Sequence, residues 1–313
     1  MHVESNALKQ FIRSLGFDRV GFTRIKVLDE EARRLEKWLN QGYQGEMSYL
    51  ERYFDLRIDP ARLVPGAKSM IVLTMNYDQA VPESHPERPN VSRYALGEDY
   101  HRVIRRKTKE ILRWMRQQFG EVTARAFVDS GPVLERVWAR EAGLAWSGKN
   151  TLSIHPRSGS YFFLACILTD LEFDYDLPIR DHCGTCRKCI EACPTDAFSP
   201  QGYVLDASRC ISYLTIELRG RIPDSFSGQM KNWIFGCDIC QQVCPWNRFS
   251  EPTRIPELQD SGTVTGKSFS DWMDLGIAEF EAEFRHSPLK RTGLEGIQRN
   301  VRFVLESGSK DPT

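Results

Sequence analysis

Apolar residues recur at helical spacing over residues 5–15, at Leu8, Phe11, Ile12 and Leu15, and Gly16 supplies a stop. The pattern then predicts a short strand over 18–25, a charged amphipathic helix over 30–39 closing near Gly42, and a further helix over 46–54. Asp59-Pro60 and Pro65-Gly66 break the chain. The continuous apolar run SMIVLTMNY at 69–77 predicts a buried strand. Residues 80–90 hold three prolines among polar neighbours and read as a loop. Periodicity returns as a long helix over 99–119, a strand over 122–128, and a helix over 133–142 with Pro132 at its first turn. Strands follow over 151–155 and 161–169, separated by a turn at Pro156 and Gly159. Beyond 247 a proline-rich connection leads to helical patterns over 269–284 and 293–305. Strands interleaved with helices across the first 175 residues predict an α/β (α+β) layer. Between about 177 and 247 apolar content drops, and something other than carbon packing is expected to organise the chain.

Composition narrows the classes. At 313 residues there is room for one large domain and a small one, and 41% hydrophobic with 27% charged residues is ordinary for a globular chain. The longest apolar stretch, 161–169, is too short to cross a bilayer. The opening MHVESNALKQ is polar and runs into an amphipathic helix, so no secretory signal is expected. Forty-two basic and 42 acidic residues cancel, which argues against non-specific coating of nucleic acid while allowing a local basic patch.

The apolar-poor stretch holds eight of the nine cysteines. Cys183, Cys186, Cys189 and Cys193-Pro194 read C-x2-C-x2-C-x3-C-P, the spacing by which two-cluster ferredoxins wire a pair of cubanes. Cys237, Cys240 and Cys244-Pro245 form an answering run whose missing leading ligand Cys210 can supply. In such a pattern the last cysteine of each run crosses over. One [4Fe-4S] cluster is therefore assigned Cys183, Cys186, Cys189 and Cys244, and the other Cys193, Cys210, Cys237 and Cys240. Zinc ribbons or disulfides are the alternatives, and both leave the two C-x3-C-P endings unexplained. Eight thiolate ligands imply a reducing compartment, here the cytoplasm. Cys166 lies in an apolar run and reads as a buried strand residue.

A two-cluster module conducts single electrons, and its fusion to a larger domain implies that they are consumed on the same chain. No G-x-G-x-x-G follows a strand and no Walker A loop is present. Asp129 ends a predicted strand just before a helix, where open α/β sheets place ligand-binding groups. Buried against an apolar cofactor it would stay protonated and serve as a general acid; an ordinary helix N-cap is the competing reading. Tyr100 and His101 open the long helix, and Asp99-x-His101 matches part of the D-x-H-x-x-G signature by which some proteins ligate cobalamin. Ile104 stands where that signature needs glycine, so any cobalamin is expected without a protein histidine on cobalt. The same helix carries Arg102, Arg105, Arg106, Lys107, Lys109, Arg113 and Arg116 against one acid, Glu110. That face is either simply solvated or a contact for a polyanion.

Together these pieces resemble the epoxyqueuosine reductases, which complete the tRNA base queuosine. The matching pieces are Gly97-Glu98-Asp99-Tyr100-His101, Val128-Asp129-Ser130-Gly131 with Glu135-Arg136, Gly148-Lys149-Asn150-Thr151, and the cysteine array with Arg209-Cys210-Ile211-Ser212. The resemblance spans roughly residues 5–305. It implies a base-off cobalamin, without a histidine ligand, between the α/β domain and a ferredoxin-like two-[4Fe-4S] module. It also implies reduction of epoxyqueuosine at the tRNA wobble position to queuosine. Asp129 would be the proton donor, with Tyr100 and His101 beside the substrate. Cobalamin contacts would fall on Arg57, Ser92, Asp129, Ser153, Leu164, Ser212, Cys237 and Asp238. Arg57 rests on the short match Arg57-x-Asp59-Pro60, and Ser92, Ser153 and Leu164 only on their distance from stronger motifs. The basic helix and the segment with Arg219, Arg221 and Lys231 become candidate contacts for tRNA phosphates.

The expected organisation is a cobalamin- and substrate-binding domain over 1–176, the two-cluster domain over 177–248, and a C-terminal helical segment over 249–313. In many relatives that last segment begins a helical-repeat region. A monomer fed by an external low-potential electron donor is expected, with no membrane partner. A corrinoid-dependent reductive dehalogenase and a non-enzymatic electron carrier are the competing functions; the former would want a small closed pocket and no basic entrance.

Overall fold

The computed structural model describes residues 3–80 and 86–308, so part of the loop expected over 80–90 lies outside the described residues. In chain order the elements are α1 (Ser5–Ser14), β1 (Arg19–Arg24), α2 (Asp29–Asn40), α3 (Phe54–Ile58), β2 (Ser69–Asn76), β3 (Asn90–Val91), α4 (Tyr100–Phe119), β4 (Ala124–Phe127) and α5 (Glu135–Glu141). There follow β5 (Trp146–Ser147), β6 (Ser153–Ile154), β7 (Phe162–Thr169), α6 (Lys188–Glu191), α7 (Ile211–Ile216), β8 (Trp233–Phe235), α8 (Ile239–Gln242), α9 (Phe269–Asp274), α10 (Ile277–Glu283) and α11 (Gly293–Gly308).

The central sheet has the order β1-β2-β7-β4, and every pairing in it is antiparallel. Strand side chains alternate between faces, and here both faces are covered. Ile71, Leu73 and Met75 of β2 pack with Leu8 and Ile12 of α1 and with Val103, Ile104, Ile111 and Met115 of α4. Met70 and Val72 pack on the other side with Trp138 and Ala139 of α5. Each fully buried side chain of this size contributes roughly 1.5–3 kcal/mol. Double-sided burial makes the β2 sequence read as one apolar run, the signature normally left by a parallel strand. The layer is thus α+β, and the rule that sites lie at the carboxyl ends of parallel strands does not apply to Asp129.

A separate core joins Val91, Ala95 and Leu96 to α7, β8 and the helices α9 to α11. Ile211, Leu214, Ile234 and Phe235 are essentially buried in it. The expectation that clusters must replace a core between 177 and 247 is therefore corrected: the 211–235 part shares a carbon core with the C-terminal helices.

Local departures have local causes. The helix expected over 46–54 is a 3-10 turn at Ser48–Leu50 and then α3, interrupted at Tyr53, whose φ is 60°. The helix expected over 133–142 begins only at Glu135, leaving Pro132 in the preceding turn. The strand over 151–155 shrinks to β6, because Thr151 is left-handed at φ 63°. The pattern over 269–284 divides at Gly276, and Ser268 and Asp271 cap α9 reciprocally. Cys166 is fully buried in β7, as expected. Among the described residues no helix is long and apolar enough to cross a membrane.

Candidate redox and proton-transfer site

Two short helices, α6 and α8, pack on each other and carry Cys189 and Cys240. Cys189 feels Cys183, Cys244 and Cys186, and Cys244 feels Cys186. Cys237 feels Cys210 and Cys193, while Cys240 feels Cys237 and Cys210. These neighbours group Cys189 with Cys183, Cys186 and Cys244, and Cys237 and Cys240 with Cys210, while Cys240 also senses Cys189. Burial and then the neighbouring thiolates push the Cys189 thiol up to about 11. Thiols crowded in this way become thiolates in the company of a positive metal centre. Among the described residues no three Cys, His, Asp or Glu side chains converge on a single ion. A cubane, with one thiolate on each of its irons, needs a wider spread than a zinc site.

The Gly148-Lys149-Asn150-Thr151 stretch holds the two runs together. Lys149 Nζ donates to the carbonyls of Gly184 (2.6 Å) and Cys186 (3.0 Å), and Asn150 Nδ2 to that of Cys240 (3.4 Å). Donors also reach sulfur directly: Trp146 Nε1 to Cys183 Sγ at 3.5 Å and Ala197 N to Cys193 Sγ at 3.4 Å. Such bonds stabilise the reduced, more negative state of a cluster.

The proton-holding group is built at the start of α4. Asp99 caps the helix, its Oδ1 accepting from His101 N at 2.9 Å and facing His101 Nδ1 at 2.8 Å. His101 Nε2 stands 3.2 Å from Asp129 Oδ2, and Tyr100 Oη donates to the same oxygen at 2.8 Å. Tyr100 is fixed by stacking on Phe163 at 4.1 Å. A carboxylate at each ring nitrogen favours the imidazolium, the form that donates from both. Burial alone would lower His101, but the hydrogen bonds to Asp129 and Asp99 override it and hold its pKa up to about 9.

Asp129 does not cap α5, whose N-cap is Leu134. It sits in a left-handed turn at φ 52° with its side chain 62% exposed. Burial would raise its pKa, yet the bonds from His101 and Tyr100 outweigh this and hold it below the usual carboxylate value. The raised His101 and the lowered Asp129 thus favour a hydrogen-bonded imidazolium–carboxylate pair at 3.2 Å.

The sequence reading named Glu135 only as part of a motif. Its carboxyl is buried with Oε1 unpartnered among the described residues. Burial and then the Asp129 charge push it up to about 8, while the backbone N–H of Asp129 bonds it from the turn side. Arg57 is buried next to this pair, donates to Tyr49 O at 3.1 Å, and has an unpartnered Nε among the described residues. Its burial lowers its pKa and Glu135 opposes that. A buried acid inside a helix that otherwise packs Trp138 was the signal available in the sequence.

The remaining expected contacts divide in space. Ser92, Cys237 and Asp238 come together where β3 meets β8: Asp238 accepts from Arg93 N at 2.9 Å and from the Ser92 side chain. Burial raises Asp238 to about 6. Gly236, at φ 69°, lets Ser92 approach, since a Cβ there would lie 2.1 Å from Ser92 Oγ. Leu164 lies on the sheet face that packs Phe54 and Ile58 around Arg57. Ser153 is on the β5–β6 ribbon against α5, and Ser212 follows Cys210 at the start of α7. Tyr94, absent from the expectations, joins the groups: it meets Tyr100 and Phe235 edge-on or tilted at 6.1 Å and senses both Asp129 and Asp238.

The basic face of α4 is partly spent on structure. Arg102 pairs with Glu98, Arg106 with Glu257, and Lys107 donates to Leu15 O at 2.8 Å. Arg105 reaches Ser130 Oγ at 2.7 Å beside Asp129. Lys109, Arg113 and Arg116 are exposed. Arg219 Nη1 donates to Arg291 O at 3.0 Å and Arg221 pairs with Asp224, while Lys231 is exposed.

An α+β layer joined to a segment of eight clustered thiols has the make-up of an iron–sulfur protein. Residues 182–247 match the family model described as a 4Fe-4S double cluster binding domain, and residues 57–130 match that of epoxyqueuosine reductase QueG, DUF1730. The chain is 47% identical over 308 residues to the epoxyqueuosine reductase of Leadbetterella byssophila (96% of this chain, 98% of the relative). It is 48% identical over 305 residues to that of Cyclobacterium marinum (96% and 97%). A crystal structure of an epoxyqueuosine reductase with an epoxyqueuosine-modified tRNA-Tyr stem loop superposes with a TM-score of 0.90. It is 31% identical and covers 99% of this chain and 86% of its own. The chain belongs to the epoxyqueuosine reductase family.

Proposed function

We propose that this chain removes the epoxide oxygen of epoxyqueuosine at the tRNA wobble position, leaving the alkene of queuosine. The observation that carries this reading is the Asp99–His101–Asp129–Tyr100 group, tied through Tyr94 to the Cys237–Asp238 end of the double-cluster segment. Epoxide-to-alkene conversion takes two electrons and two protons, and an oxygen leaves well only when protonated. Asp129, exposed at its turn, delivers the proton. His101 replenishes it, Tyr100 orients the carboxyl, and Asp99 holds the imidazole in place.

The pocket residues suit a cobalamin. Arg57 Nε and Glu135 Oε1 offer a buried donor and acceptor without protein partners, matching the amide-fringed rim of a corrin. Arg57, Ser92, Asp129, Ser153, Leu164, Ser212, Cys237 and Asp238 would hold it. Both ring nitrogens of His101 are already engaged, in keeping with base-off binding without a histidine on cobalt. When bound, cobalamin supplies a strongly reducing, nucleophilic metal centre that the two [4Fe-4S] clusters recharge.

Exposed Lys109, Arg113 and Arg116 provide phosphate contacts that position rather than select the tRNA. The functional division falls at 1–176, 177–248 and 249–313. The protein works as a cytoplasmic monomer supplied by an external low-potential donor. The test is anaerobic purification with cobalamin, reduction in the presence of epoxyqueuosine-containing tRNA, and nucleoside analysis. Conversion to queuosine is expected; unchanged epoxyqueuosine with reduced clusters and bound corrinoid would overturn the reading.

A further inference from the structure

Away from the proton site, Trp146, His182, Trp246 and Phe249 form a contiguous aromatic group. Ring centroids are 5.1 Å apart for Trp146–His182 and Trp146–Trp246, 5.8 Å for His182–Trp246 and 6.0 Å for Trp246–Phe249. The group starts at the first thiol set, through Trp146 Nε1 on Cys183 Sγ. It ends in solvent at Phe249, 40% exposed, with the Arg248 guanidinium 4.5 Å from its ring centre. Aromatic packing that served only to shield a cluster would have no reason to leave Phe249 outside.

Leu177, 82% exposed, lies in the same run that leads to Cys183. Basic residues lie close by in sequence and are exposed: Arg180 two residues before His182, Lys188 next to Cys189, and Arg248 next to Phe249. Three neighbouring acids have partners. Asp181 accepts from Cys183 N and Tyr203 Oη, Glu191 pairs with Arg187, and Glu251 with Arg254.

The two thiol sets differ in their surroundings. His182, Gly184, Thr185, Arg187 and Lys188 around the first set are exposed, whereas Ile211, Phe235, Asp238 and Gln241 around the second are buried. An electron arriving from solution therefore meets the set of Cys183, Cys186, Cys189 and Cys244 first.

We propose that this arginine- and lysine-rimmed aromatic face is the landing surface for an acidic one-electron carrier protein, which feeds the first cluster. The inference rests on the two-cluster reading above. In each encounter one electron leaves the carrier, oxidising it by one step, and enters the oxidised cubane, reducing it by one. No bond forms or breaks, and two such transfers serve one epoxide. Opposite charge speeds diffusional encounter. A small apolar anchor such as Phe249 suits the brief, low-area contacts of redox partners.

The test is stopped-flow reduction of the anaerobic holoenzyme by an acidic flavodoxin in its hydroquinone form, followed by cluster bleaching. The variant is R180E/K188E/R248E. At low ionic strength its second-order rate constant is expected to fall roughly 10- to 100-fold, and the difference from wild type to shrink as salt is added. Its reduction by dithionite and its affinity for epoxyqueuosine-containing tRNA are expected to be unchanged. If reversal lowers iron content, the milder R180Q/K188Q/R248Q carries the same test with a smaller expected drop. An unchanged rate with flavodoxin overturns the proposal, as does an equal loss with dithionite. Lost tRNA affinity would assign the face to RNA instead. Failure of the cluster reading is separately visible, because wild type would then not bleach with dithionite at all.

Discussion

In the sheet half, Ile71 and Leu73 are fully buried under α1 and α4, with Trp138 equally buried on the other face. In the thiol-bearing half, α6 has four residues and buries none, while α8 has four and buries only Gln241. Helices that short do not hold themselves together in water. The sheet half is therefore stabilised by removing carbon from water, whereas the α6 and α8 segments bury almost no carbon of their own. The difference has a functional use. A carbon-packed framework can hold the Asp129 turn and His101 still, and a ligand-held segment can stay polar and near solvent where electrons must enter.

The comparison can be broken most severely at the sulfurs. Cys189→Ser is expected to remove one cluster, abolish turnover, and strip hydrogen-exchange protection from residues around 183–196 while the sheet keeps its own. Preserved protection there would mean that the thiol half carries its own core. Next in size, Asp129→Ala is expected to leave iron content and corrinoid unchanged and to lower turnover by roughly a hundred- to ten-thousand-fold. Full turnover after that change would remove Asp129 from its role.

Leu73→Ala is expected to cost about 2–5 kcal/mol in chemical denaturation, and by the same amount with and without iron. A cost that depended on iron would show that the two halves are not held independently. The mildest probe is pH. His101 has an ordinary pKa of 6.5, held up to about 9 in the fold. The pairing with Asp99 and Asp129 is thus fully present below 6.5 and is lost as pH rises through about 9. Turnover is expected to fall along an alkaline limb near that value, and Asp99→Asn to move the limb toward neutrality. A limb that stays in place would separate Asp99 from proton storage.

Legibility followed the range of the interactions. The C-x2-C-x2-C-x3-C-P run and the helix opening at Asp99 were readable, because both rest on neighbours within a few residues. The antiparallel order of the sheet was not, since β2 is buried on both faces and has no alternation to read. The Asp129 turn was missed for a related reason. Its left-handed backbone and its ionised state depend on Tyr100 and His101, 29 and 28 residues away. Glu135 looked like one more helix carboxylate until the fold closed over it.

The amino-acid sequence by itself determined the spacing of the thiols, the cap that opens α4, and which family the motifs resemble. It could do so because ligand spacing and capping are local. Tertiary structure alone decided that His101 and Asp129 meet, and that Arg57 Nε and Glu135 Oε1 are buried without a partner among the described residues. Those properties arise from burial and from charges brought together across the chain, and no local pattern encodes them.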